Sequence, residues 1–164
     1  MTATPSPAIG TTLPLLITFR RTLFGPGFVV EVKATNGRAL LVYEEDGVWV
    51  YGVNPGGMAA HGDTAEAARE DFALGFSNVL EDLAAESTSF EHFRTLVQQF
   101  FEGTTDDIVR DWEDAVRAIR ANRTAPETDL PTQPADAPRS VSVEMKQVFR
   151  PADNAVDLQH ALAA

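Results

Sequence analysis

At 164 residues the chain is long enough for one domain with a buried core and too short for two full ones. Hydrophobic residues make up 44% and charged residues 23%, an ordinary globular mix, so wholesale disorder is not expected. A formal charge of -11 repels phosphate backbones and anionic headgroups and favours a basic partner, and the absence of cysteine removes disulfides, thiolate nucleophiles and Cys-based zinc sites.

The first dozen residues are small, polar or proline and read as a flexible leader, 1–12. They lack the basic stretch and apolar run of a signal peptide. No apolar run anywhere approaches the roughly 20 residues needed to cross a bilayer, so a cytoplasmic protein with no membrane partner is expected. Four extended segments follow. In Leu15–Phe24 and Phe28–Lys33 apolar residues alternate with polar ones, as in half-buried strands, and Gly25-Pro26-Gly27 turns between them. Asn36-Gly37 reads as a second tight reversal, because both residues tolerate positive φ. Arg38–Glu45 and Val48–Val53 are joined by the hairpin signal Asp46-Gly47. Both of their alternating sets are largely apolar, which predicts central strands with both faces partly covered.

From Asp63 the period changes from two to about 3.6. Ala68, Phe72, Phe76, Val79 and Leu83 fall on one helical stripe, and Asp63 with Glu66 has the spacing of a capping box. A second helix over 90–102 starts near Thr88 or Ser89, carries Phe90, Phe93, Val97, Phe100 and Phe101, and ends at Gly103. A third over 105–121 has the stripe Ile108, Trp112, Ala115, Val116 and Ile119. The proline-rich 124–138 reads as a linker. In 139–164, Ser140–Phe149 alternates like a strand, either returning to the sheet or pairing with another copy, and Asn154–Leu162 could form a short helix. The expected fold is α+β: an antiparallel β-meander of about four strands packed with an amphipathic helix, two further helices and a C-terminal strand, with 13–123 as the main domain.

No chemistry stands out. His61, His92 and His160 lack the i, i+4 spacing of a helical metal pair, and the carboxylates fall on turns and polar helix faces instead of converging. No nucleophile-elbow, Walker or dinucleotide-binding motif is present. No catalytic residue, metal or cofactor is therefore expected, and the protein reads as a binder and not an enzyme.

The segment Gly37–Ala84 resembles the HicB-like antitoxin family. The resemblance rests on Asp46-Gly47 in the hairpin, Asn54-Pro55-Gly56-Gly57 in the loop, Gly62-Asp63-Thr64 at the turn, and Glu66-Ala67 opening the helix. It implies a partial ribonuclease-H-like fold without catalytic carboxylates, and neutralisation of a small, basic, RNA-cleaving toxin. The helices at 90–102 and 105–121 have no counterpart in the minimal family. DNA binding is not expected, because the tail offers one helix after its strand and only Arg139, Lys146 and Arg150 as cations.

The expected partner-binding surface is Asn54, Pro55, His61 and Asp63 around the loop, with Glu66, Glu70 and Asp71 on the helix, and a homo-oligomer joined through an edge strand is expected. The alternative is a non-catalytic structural or accessory protein with no toxin partner. A metal-dependent hydrolase built from the carboxylates is the third.

Overall fold

The computed structural model describes residues 7–122 and 142–149. Its elements are β1 (Thr12–Gly25), β2 (Phe28–Glu44), β3 (Gly47–Asn54), β4 (Ala59–Gly62), α1 (Ala65–Glu86), α2 (Phe90–Glu102), α3 (Asp106–Asn122) and β5 (Ser142–Phe149). The sheet is antiparallel throughout, in the order β1-β2-β3-β4, with β5 also paired to β2. This is the α+β arrangement read from the sequence. The proposed helix over 154–162, the linker 124–138 and residues 1–6 of the leader lie outside the described residues.

The two extended segments expected on either side of Asn36-Gly37 are one 17-residue strand. Asn36 does take a positive φ of 59°, but it does so in a β-bulge: between Ile17↔Gly37 and Phe19↔Ala34, β2 holds one residue more than β1. The extra residue reverses the side-chain alternation of β2. Before the bulge Phe28, Val30, Val32 and Ala34 face one side; after it Ala39 and Leu41 do. The hairpin itself is closed by Pro26 and Gly27, whose φ of 77° only glycine adopts cheaply. β1 lies along the whole of β2, whereas the opposite edge of β2 is shared. Residues 38–44 pair with β3, and residues 29–35 pair with β5. The C-terminal strand thus returns to the sheet of its own chain.

On one face, α1 and α2 close two apolar clusters. Phe76, Leu80, Phe93 and Val97 pack over Val30 and Val32, and Phe72 and Ala68 pack over Leu15, Leu41 and Val50. Full burial of such a side chain is worth roughly 1.5–3 kcal/mol, so this face supplies most of the driving force for folding. The buried set of α1 is Ala68, Phe72, Phe76, Ser77, Leu80 and Ala84, one residue off the expected Val79 and Leu83, which are half-buried. Thr64, and not Asp63, caps α1, its hydroxyl accepting from Ala67 N at 3.1 Å; Ser89 caps α2 in the same way from His92 N. Arg21 ties β1 to α1 by donating to Ser77 Oγ at 2.9 Å and pairing with Glu81.

On the other face, α3 covers a smaller cluster, in which Trp112 and Ala115 meet Leu40 and Val53, with Leu16, Val42 and Tyr51 at its margin. Asp106 and Asp107 stand in its first turn and Arg120 in its last, as the helix dipole favours.

Candidate functional site

The α3 helix leaves the β3–β4 end of its face open. In β3, Val48 and Val50 point to the α1 side and are buried, so Trp49 and Tyr51 point to the other and are only half-buried. His61 in β4 stands in register opposite Trp49. The three rings form a row: Trp49 lies 4.8 Å from His61 and 5.8 Å from Tyr51, the latter at an interplanar angle of 11°.

Their polar edges all turn to the β2–β3 hairpin. Trp49 Nε1 donates to Asp46 Oδ1 at 3.1 Å, and the Tyr51 hydroxyl donates to Glu44 Oε1 at 2.8 Å. His61 Nε2 lies 2.9 Å from the Asp46 carbonyl; since that oxygen only accepts, Nε2 carries the proton in this arrangement. Desolvation first, then the hydrogen bond and the charges of Glu44 and Asp46, push the Tyr51 hydroxyl up to about 12. The result is a half-exposed aromatic row, with the Trp49 and Tyr51 rings near-parallel and the His61 ring tilted 50° from Trp49, and with carboxylates held at its rim, an arrangement suited to a cation. Among the described residues no three His, Asp or Glu side chains converge as a metal site would require. Comparison with family models, curated proteins and solved structures gives no match.

The residues expected to bind a partner are divided by the fold. His61 belongs to the aromatic row. Asp63, Glu66, Glu70 and Asp71 are exposed at the start of α1, on the opposite side of the sheet. Asn54 and Pro55 are buried and serve the interior. Asn54 Oδ1 accepts from Arg38 Nε at 2.9 Å and from its Nη2 at 2.5 Å, while Nδ2 donates to the Phe101 carbonyl at 3.3 Å, so the loop is fastened to the end of α2. Gly56 completes that junction, because a Cβ there would fall 2.3 Å from the Gly103 carbonyl. Arg38 also lies over the Trp112 ring at 4.9 Å; burial lowers its pKa, and Glu113 partly opposes this. His92 is a helix-start residue whose Nδ1 accepts from Thr88 N at 3.1 Å.

Trp49, Tyr51, Glu44 and Asp46 were not among the expected contacts. Their signal was present, in that two aromatics with polar edges share one strand face beside a hairpin carrying Glu44-Glu45-Asp46. Such side chains suit a half-wet position better than a fully covered one.

Proposed function

We propose that this protein is a non-catalytic binder of a basic protein, and that the Tyr51-Trp49-His61 row receives an arginine or lysine side chain of the partner. The carrying observation is the coincidence of half-exposed rings with the Glu44 and Asp46 carboxylates at their edges. A cation over an aromatic face gains about 0.5–2 kcal/mol, more as it is desolvated, and fixed carboxylates add directional acceptors. The net charge of -11 steers a basic molecule toward the protein at low salt.

The resemblance of residues 37–84 to HicB-like antitoxins supports a small RNA-cleaving toxin as that basic partner. The same segment runs as hairpin, proline loop and capped helix, the order on which the resemblance rests, with the short strand β4 lying between loop and helix. A cytoplasmic setting fits such a pair, and among the described residues no helix is long and apolar enough to cross a membrane.

The test is parallel affinity capture from native extract. Glu44→Gln/Asp46→Asn/Trp49→Ala removes the charges and the central ring but keeps an acceptor for Tyr51 and a turn-forming residue before Gly47. Glu66→Gln/Glu70→Gln/Asp71→Asn removes the three carboxylates at the start of α1. The expected result is a basic protein retained by wild type and by the α1 variant and lost from the hairpin variant. Equal retention by the hairpin variant, or an acidic captured partner, would sink the assignment.

A further inference from the structure

The side of β1 away from β2 is an unused edge. Tyr43 N donates to the Thr11 carbonyl at 3.0 Å, and the β1–β2 register continues unbroken from Thr12↔Val42 to Ile17↔Gly37. Residues of an antiparallel strand turn their N–H and C=O alternately to its two sides. Leu13, Leu15 and Ile17 therefore bond to β2, and Thr12, Pro14, Leu16 and Thr18 face outward. The bulge residue belongs to β2, so β1 keeps this alternation through Arg20 and Thr22. Pro14, which has no N–H, stands in the outward set and breaks no bond of the β1–β2 ladder. Among the described residues no strand pairs with this edge.

Beside the edge, a groove of about 220 Å³ opens between β1 and α1, walled by Ile17, Phe19, Phe72 and Phe76. Leu13, Leu15 and Leu23 on the same face of β1 are buried, but Ile17 and Phe19 are only half-buried.

We propose that β1 pairs antiparallel with β1 of a second copy about a two-fold axis at Thr18, so that one sheet runs through the dimer. The axis sets Ile17 of each copy opposite Phe19 of the other, and the two half-buried residues cover each other over the groove. Thr18 meets Thr18, an uncharged β-branched pair suited to a sheet. Charge selects this edge as well. Thr12–Gly25 contains no acid and two arginines, which pair with Glu31 and Glu81, so in a chain of net charge -11 this strand brings no unpaired negative charge of its own to the seam. Arg20 falls opposite Leu16 of the other copy, and the two Arg20 residues stand four positions apart, about 13 Å along the strands. That exceeds the screening length of about 8 Å in physiological salt. The dimer is independent of the basic-partner reading and leaves the rings on β3 and β4 uncovered.

Sedimentation equilibrium joined to single-cysteine cross-linking tests the seam, since the chain has no cysteine of its own. Two Thr18→Cys residues on the axis would have Cα atoms about 5.5 Å apart, within disulfide reach. Two Thr22→Cys residues would stand eight positions apart, about 26 Å. The expected result is a dimer that mild oxidation locks through Thr18→Cys and not through Thr22→Cys. Thr18→Pro, whose lost N–H points outward, should weaken the dimer at least tenfold with an unchanged far-ultraviolet spectrum. A monomer at every concentration, or a dimer in which Thr18→Cys fails to cross-link, overturns the proposal; the cysteine pair decides even if the proline variant does not fold.

Discussion

The two faces of the sheet are built from the same strands and held by different physics. Beneath α1 and α2 the contacts are apolar side chains with almost no exposure, Val30, Val32, Leu80, Phe93 and Val97 among them. Beneath α3 the buried cluster is Leu40, Val53, Trp112 and Ala115, one of the contacts is a guanidinium stacked on an indole, and Trp112 Nε1 is buried without an acceptor. Among the described contacts no hydrogen bond or ion pair joins α3 to the strands. A dry, dense face can carry the folding free energy by itself; the sparser face can leave its β3–β4 end bare, and the aromatic row occupies that end.

The most severe way to probe this contrast is truncation on each side. Phe93→Ala should cost about 3–5 kcal/mol of global stability in denaturant unfolding, since its cavity lies among fully buried neighbours. Trp112→Ala should instead release α3 locally: hydrogen exchange would rise in residues 106–122 and stay slow in α1. Loss of protection in both helices together would mean that the two faces form one cooperative unit.

Asn54 is where the faces are coupled, because it holds Arg38 on the α3 side and Phe101 on the α2 side. Asn54→Ala leaves a half-buried guanidinium and a carbonyl without their partner and should cost about 2–3 kcal/mol. A cost below about 0.5 kcal/mol would show that water replaces the amide and that the faces are independent.

Tyr51 supplies the smallest and most local measurement. A phenol held up to about 12 in the fold and titrating near 10 when unfolded stabilises the fold fully below pH 10, and that contribution fades as pH rises from 10 to 12. In a Tyr43→Phe background, phenolate absorbance should therefore appear with a midpoint near 12, and Glu44→Gln should lower it. A midpoint unchanged by Glu44→Gln would remove the carboxylate from the account of this shift.

Much of the fold was legible because its signals are local. Pro26-Gly27 and Asp46-Gly47 can hardly do other than turn, and the Phe90-Phe93-Val97-Phe101 spacing commits one helix side to burial. The candidate site was legible only at His61. Trp49 and Tyr51 looked like central-strand residues, and whether they are covered depends on where α3 ends its cover over the sheet.

The residue pattern by itself therefore determined the strand-rich first half, the three amphipathic helices, and the acidic character on which the proposed basic partner rests. Tertiary structure decided what Asn36-Gly37 does, because a residue with positive φ serves a turn or a bulge equally well and only the uninterrupted β1 beside it makes it a bulge. It likewise turned Asn54 and Pro55 inward against the end of α2, 47 residues from Asn54 in the chain at Phe101. Such contacts depend on how distant segments meet, and no local window of sequence contains that information.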